Sequence, residues 1–572
     1  MSATQLNIRR GTYYDSVVLM QLQASLAKLP GVIDAGVVMG TPANKDLLAQ
    51  SGLLAEGIDQ AVPDDLIIII KGQDAHAAKA ALAQVDVLLA RRTSTLDGDE
   101  YVPQSLETAA KMLPDAHWVL ISVPGRYAAG VARDALRLGK NVFLYSDNVS
   151  LEDEIQLKQE AAQKGLLVMG PDCGTAIVNG VGLGFANRVR RGPIGLVGAS
   201  GTGLQQVTAR IHQLGGGVSH ALGTGGRDLK EECGAITAMQ ALDLLAHDHQ
   251  TKVIVLISKP PSPAVAERLL ERARSAGKPV VVDFVGYQAD RRQDGPITFA
   301  RTLDDAAEQA VRLANQDASV PSPNYQPSFA AGQKYLRGLF SGGTLAYEAL
   351  LILSELLPGV YSNIPIDKRY KLANSLHSQE HTILDLGEDE FTVGRLHPMM
   401  DHTLRIQRLM QEAADPEVAV ILLDVVLGYG AHPDPTSELA PAIERAKSEA
   451  QQADRTLEVT AVVVGTDEDP QDMASQIERL QAAGAIVETS NESAVRLAGG
   501  MVQPIYSKGN MQNARVNTLN VDLDAPLAAL NVGLESFTES LRAQEGQVIH
   551  VRWKPPAGGS ERLMGILERM KQ

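Results

Sequence analysis

At 572 residues the chain is too long for a single hydrophobic core, and roughly three or four domains are expected. A net charge of −16 with no basic run to offset it argues against nucleic acid as a partner, but leaves room for a small anion held by backbone amides and an arginine or two. Two cysteines, Cys173 and Cys233, exclude a disulfide framework and fit a reducing, cytoplasmic setting.

The N-terminal run carries no apolar stretch of the signal-peptide kind, and the longest aliphatic run, Leu66 to Ile70, is far too short to span a bilayer, so no membrane attachment is expected. Ser16 to Leu29 has helical spacing and stops at Pro30-Gly31. Val32 to Met39 and Asp65 to Lys71 read as strands, and Ala75 to Leu89 as an alanine-rich helix. This alternation predicts a small α/β sandwich of ferredoxin-like type. Gly40 to Lys45 reads as a helix start with Thr41 as N-cap and Pro42 behind it. Ala90 to Val102 is a polar connector.

His117 to Arg126 is a strand that breaks at Pro124-Gly125. A helix from Tyr127 to Leu138, a strand from Lys140 to Tyr145, a helix from Leu151 to Lys164 and a strand from Leu166 to Met169 follow. The pattern is βαβαβ, with candidate ligand loops at the strand ends: Ser122, Pro124 and Gly125 on one, Asp147 and Asn148 on the next. No G-x-G-x-x-G fingerprint is present, so a nicotinamide dinucleotide is not favoured. Cys173 reads as a small buried residue in the tight Gly170-to-Thr175 loop.

The next unit opens on an apolar strand, Ile194 to Val197, a turn from Gly198 to Gly203, and a helix from Leu204 onward. Such a turn aims free backbone N–H groups and the positive end of a helix at one point, which suits a phosphate or carboxylate. Ser200, Gly201, Thr202 and Gly203 are therefore candidate anion ligands. Arg227, in a glycine-rich loop, either clamps an anion or pairs with Asp228 to fix the loop. Lys259, after the strand Val253 to Ile257, is a candidate to neutralise an anion. A strand from Pro279 to Phe284 completes the pattern.

Ala318 to Ala331, with three prolines and no periodicity, is a linker. Beyond it the design recurs: Leu339-Phe-Ser-Gly-Gly-Thr344 leads into a helix, which places Ser341, Gly342, Gly343 and Thr344 at a second helix start. Thr382 to Gly387, Val418 to Val426 and Val459 to Val464 are strands. The two units share an element order and read as diverged copies of one domain. Arg395 and His397 lie in a loop of functional side chains. His397 either donates a proton to an amide or a leaving phosphate, or locks its loop by a hydrogen bond. The tail carries a strand at Val548 to Trp553 that is expected to pack on an earlier unit. The histidines show no metal-ligand spacing, and no metal is expected.

These strings carry a family resemblance. Gly165 to about Tyr287 resembles the α subunit of succinyl-CoA synthetase, through the Gly170-to-Cys173, Gly198-to-Gly203 and Gly223-to-Asp228 loops. The unit after the linker is similar to the ligase domain of that enzyme's β subunit, with Gly387 at the phosphate turn. Nearly the whole chain resembles the FdrA family of acyl-CoA-synthetase-like proteins, on Met39-Gly-Thr-Pro-Ala-Asn-Lys45, Ser146 to Ile155, Gly165 to Thr175, Gly198 to Gly203 and Gly394-Arg-Leu-His-Pro398. The implied fold is multidomain α/β. It comprises a small N-terminal domain (1–95), a CoA-binding-like Rossmann unit (96–190), two flavodoxin-like ligase domains (191–317 and 334–500) joined by a linker (318–333), and a C-terminal extension (501–572).

The departures from succinyl-CoA synthetase bear on function. That enzyme passes phosphate through a histidine in a Gly-His-Ala-Gly loop, and the matching stretch here, Gln288 to Gly295, has none. No ATP-grasp domain precedes the third unit, and no Walker-type P-loop is present. An enzyme that starts from an activated acyl phosphate needs neither part. FdrA-type proteins are associated with ureide breakdown and, as a subunit, with oxamate carbamoyltransferase, which converts carbamoyl phosphate and oxamate to oxalurate and phosphate. The resemblance therefore implies a transferase subunit in a hetero-oligomer, with two small anions brought together and no required cofactor. The alternatives are an acyl-CoA synthetase completed by a separate nucleotide-binding subunit, with CoA near Ser122–Gly125 and Asp147–Asn148, and a non-catalytic anion-binding assembly subunit.

Overall fold

The computed structural model describes residues 3–10, 16–27, 29–40, 65–88, 102–287, 291–315, 332–392, 396–502 and 525–553, with scattered positions in 44–62 and residues 329–330. Thr41, Pro42, Arg395 and most of the expected linker lie outside these residues.

The N-terminal unit is an antiparallel sheet in which Leu66–Gly72 lies between Ala3–Arg9 and Val32–Met39. Its central strand is apolar from Leu66 to Ile70 because both faces are covered. Ile68 and Ile70 pack on the helices Ser16–Ala27 and Ala75–Ala83, while Ile67 and Ile69 pack on Leu48, Leu53 and Ile58.

The second sheet is five-stranded and parallel, in the order Gln547–Val551, Ala528–Val532, Trp118–Ile121, Asn141–Leu144, Val168–Met169. The expected βαβαβ supplies one half, and the tail supplies the other two strands. The strand order reverses between Trp118–Ile121 and Ala528–Val532, the kind of crevice where open α/β sheets take ligands.

The third sheet has eight strands around a parallel core, Ile297–Phe299, Val280–Phe284, Val253–Ser258, Arg191–Gly198 and Val218–Gly223. The hairpin Thr175–Val178 and Val181–Gly184 extends it. The fourth sheet is six-stranded and parallel, in the order Tyr361–Ser362, Thr382–Asp385, Tyr335–Phe340, Val418–Val426, Glu458–Val464, Ile486–Glu488.

With the two-residue edge strand Tyr361–Ser362 set aside, in both sheets the strand entering the glycine turn lies between the second strand of its unit and the third, followed outward by the fourth. This is the flavodoxin-like order, with its switch point between strands one and three. The two sheets share one core: Leu204, Val207 and Ile211 of the helix Gly201–Gln213 cluster with Leu345, Ala349 and Leu353 of the helix Gly343–Leu356. No helix among the described residues is long and apolar enough to cross a membrane.

Candidate functional site

The helices Gly201–Gln213 and Gly343–Leu356 each begin at the carboxyl edge of their sheet, at its switch point, and they begin against each other. Ser200 is the N-cap of the first and accepts the Gly203 N–H through its Oγ at 3.0 Å. A side chain at 203 would put its Cβ 2.4 Å from that Oγ, so glycine is required there. Gly342 is the N-cap of the second helix.

The contact between them is reciprocal. Ser200 Oγ lies 2.5 Å from Thr344 Oγ1, and the space beside Gly342 is filled by Thr202, whose side chain sits 2.8 Å from where a Cβ would be. Each cap thus meets the second residue of the opposite helix. The positive ends of two helices meet at one hydrogen bond, and the ground in front of them is the candidate anion cradle.

Four further side chains reach the cradle. Lys259, at the end of the third strand of the first ligase unit, brings Nζ to 3.3 Å from the Cβ position of Gly343. Asp385, at the end of a strand in the second unit, has one carboxylate oxygen 2.3 Å from that same position, and the other accepts the Gly387 N–H at 2.9 Å. Burial raises the Asp385 carboxyl to about 7, against the opposing pull of Lys259.

His397 Nε2 lies 3.0 Å from the Cβ position of Gly387, and Ser341 O lies 2.9 Å from it. The His397 Nδ1 accepts the Met399 N–H at 3.2 Å, which leaves the proton on Nε2. Burial, with the charge of Arg405, lowers His397 to about 4. It is a neutral hydrogen-bond donor, and its ring lies tilted at 40° against Phe185 with ring centroids 5.4 Å apart. On the other side, Thr175 Oγ1 lies 3.3 Å from the Cβ position of Gly201, buried and without a hydrogen-bond partner. A buried orphan hydroxyl beside a helix start is a donor left open for a ligand.

Of the residues expected from sequence, Ser200, Gly201, Thr202, Gly203, Lys259, Ser341, Gly342, Gly343, Thr344, Gly387 and His397 come together. Arg227 does not. Its guanidinium donates to Glu154 Oε2 and to the Val149 carbonyl, both at 2.8 Å, beside a buried set in which Lys158 holds Glu154 and Asp228. Asp228 in turn accepts the Thr237 and Ala238 N–H groups. Arg227 thus fixes its loop through Glu154 and the Val149 carbonyl, not through the Asp228 pair expected from sequence, and not as an anion clamp.

The second loop set lies at the switch point of the five-stranded sheet. Ser122 Oγ accepts the Leu534 N–H at 2.7 Å, Gly125 is pressed on the backbone of Asp147 and Asn148, and Pro124 caps the helix Gly125–Arg137. Cys173 is buried, with its thiol pushed up to about 12 by burial, which suits a packing role.

Three residues of the site escape a reading of the sequence alone: Asp385, Asp424 and Arg405. Asp385 is the charged member of the Leu384-Asp-Leu-Gly387 turn. Asp424 is the lone charge in the buried strand Val418–Val426, and a charge in such a run signals a specific partner. Arg405 carries no such local mark.

Residues 339–501 match the CoA-ligase family, residues 189–286 the CoA binding domain, and residues 1–103 the family described as AllF, heavy metal-associated domain. Over 506 residues the chain is 44% identical to the protein described as uncharacterized protein YahF of Escherichia coli (strain K12), covering 87% of this chain and 98% of that one. The chain belongs to the YahF family. It is acyl-CoA-synthetase-like, since this chain carries CoA-ligase and CoA-binding modules.

A segment of this YahF-family chain is also 27% identical over 179 residues to the succinate–CoA ligase [ADP-forming] subunit alpha 2 of Archaeoglobus fulgidus, covering 31% of this chain and 61% of that protein. Among solved structures, the acetyl-coenzyme A synthetase 1 of Ca. Korarchaeum cryptofilum with phosphate and ADP is similar at 15% identity and a TM-score of 0.28, over 71% of this chain and 86% of that one.

The heavy-metal-associated description finds no matching donor set here. Residues 1–103 contain no cysteine and a single histidine, the exposed His76. A soft metal needs thiolate or clustered imidazole ligands.

Proposed function

We propose that this chain is the catalytic subunit of an acyl-CoA-ligase-type enzyme that holds the phosphate of an acyl phosphate between Ser200–Gly203 and Gly343–Thr344. The observation that carries the reading is the Ser200–Thr344 contact, which merges two helix ends into one cradle beside Lys259. Two helix dipoles and an ammonium stabilise the charge that develops on the departing phosphate.

With CoA as acceptor, the thiol sulfur attacks the acyl carbon, the carbon–oxygen bond to phosphate breaks, and the thiol proton passes to Asp385. Inorganic phosphate stays in the cradle, and His397 donates a hydrogen bond from Nε2. A carboxyl near pH 7 is matched to that proton transfer. The succinate–CoA ligase alpha relative supports CoA as acceptor. Phosphorylation of the acid by nucleotide is assigned to a partner subunit.

A second reading rests on the stretch Gln288 to Gly295, which contains no histidine to relay phosphate. On that reading the chain is of FdrA type and consumes a preformed carbamoyl phosphate. The oxamate nitrogen attacks the carbamoyl carbon, phosphate leaves, and the nitrogen proton goes to Asp385.

The test is phosphate release by the full chain, alone and in the complex isolated with it. It is supplied with acetyl phosphate and CoA, or with carbamoyl phosphate and oxamate. Release that depends on one acceptor supports the corresponding reading, and no acceptor-dependent release with either pair contradicts both.

A further inference from the structure

The two ligase units are copies in topology, but their helix starts are not equivalent: the second carries a buried carboxylate that the first lacks. In the first unit the residue before the cap, Ala199, donates its N–H to the backbone carbonyl of Ile257 at 3.0 Å. Strand register pairs Gly198 with Ile257 in the first unit and Leu339 with Leu423 in the second, which sets Asp424 in the place of Ile257.

Asp424 is fully buried, and its carboxylate receives four hydrogen bonds. Oδ1 accepts the Ser341 N–H at 2.8 Å and Arg405 at 3.0 Å; Oδ2 accepts Ser341 Oγ and the Gly342 N–H, both at 2.9 Å. Arg405, also buried, donates to the carbonyls of Leu339 and Asp424, and its Nε has no partner.

These are the donors that a glycine turn at a switch point presents to a phosphate. In this protein they are saturated by a carboxylate of the chain, with an arginine as counter-charge.

We infer that Asp424 is a resident anion that closes the second turn to ligands, so that the cradle takes one anionic group, carried by the first helix start, Lys259 and the remaining first-turn amides of the second helix. Asp424 is thereby a specificity-determining residue. A substrate with one phosphate or carboxylate at the reacting end fits, and a second anion bound in the Ser341–Gly342 turn does not. Its counterpart Ile257 takes only the Ala199 N–H, through its backbone carbonyl, and brings no charge to the first turn. The inference deepens the proposed function and rests on its reading of the cradle.

The experiment is calorimetric titration of the full chain with inorganic phosphate in a chloride buffer, comparing wild type with Asp424→Ala. The expected result is one phosphate per wild-type chain and two for Asp424→Ala, with Arg405, Ser341 and Gly342 as the new ligands. Because Asp424→Ala leaves a buried guanidinium unpaired, the double variant Asp424→Ala/Arg405→Met is titrated beside it. That variant should also gain a second phosphate, bound more weakly, on the Ser341 and Gly342 donors alone.

Two phosphates on the wild type, or one on every variant, overturn the inference and leave the cradle reading standing. No phosphate on the wild type but one on Asp424→Ala sustains the role of Asp424 and sinks the cradle. No phosphate on any of them sinks both.

Discussion

Ser200 Oγ and Thr344 Oγ1, separated by 144 residues of chain, lie 2.5 Å apart at the starts of two helices from different sheets. The same junction presses Thr202 against Gly342. Helix ends of like polarity repel when brought together, so a junction of this kind is held by the packing behind it and favours an anion in front of it. Gly342→Val puts a branched side chain where Thr202 already sits. The expected outcome is separation of the caps and loss of phosphate binding by calorimetry, with the far-ultraviolet circular dichroism retained.

Asp385 should govern the pH dependence of acyl transfer. Its carboxyl stands at about 7, raised chiefly by burial and pulled back by Lys259. As the base it must be ionised, so the rate should rise with pH through about 7. Asp385→Asn should abolish that limb. Lys259→Met removes the cation that favours ionisation, so its limb should move to higher pH. Initial rates from pH 5 to 9 check both, and a limb that stays put in Lys259→Met counts against the assignment.

A second buried carboxyl makes stability pH-dependent. Glu348 accepts the Leu303 N–H and Asn491 Nδ2, and burial, with Asp304 and Asp283 nearby, raises it to about 8 from an ordinary 4.5. The folded chain therefore holds a proton that the unfolded chain releases. The contribution is complete below the ordinary carboxylate range and is lost as pH rises through the folded value, so stability falls between about pH 5 and 8. Glu348→Gln should flatten that slope. The new amide finds an acceptor in Asn491 Oδ1, which has no partner at present, if the Asn491 amide turns over. Melting temperature against pH for the two proteins is the check.

Much of this was legible in the chain. Both helix starts follow from local chemistry, an apolar strand running into a serine–glycine turn, and so did the repeat of one domain. Their meeting did not, because no local signal encodes which faces of two domains pack together. The five-stranded sheet was half visible for the same reason: Trp118–Ile121 pairs with Ala528–Val532 across some four hundred residues. The hairpin from Thr175 to Gly184 had a signal that went unread, Asn179-Gly180, with φ of 51° and 82°, the turn that two-residue hairpins favour. Arg227 was ambiguous because an arginine in a glycine loop looks the same whether it binds a phosphate or Glu154.

That ambiguity gives a control. Lys158 is buried between Glu154 and Asp228 at 2.8 Å each, with Arg227 on the outer oxygen of Glu154. Lys158→Met leaves two buried carboxylates uncompensated and should cost about 3–5 kcal/mol by denaturant unfolding. Arg227→Ala, at the half-exposed edge of the network, should leave phosphate affinity within about twofold, since one modest interaction is worth less than the roughly 1.4 kcal/mol of a tenfold change. A larger loss would return Arg227 to the anion site.

The most direct test of the shared cradle is phosphate titration of the full chain against the double variant Ser200→Ala/Thr344→Val, which removes both touching hydroxyls and little volume. Wild type should bind one phosphate per chain, and the variant should bind at least about tenfold more weakly, as expected for losing hydrogen bonds to a charged group. Equal affinity in the two proteins, or no phosphate binding by the wild type, would contradict the claim that the two helix starts form one anion site.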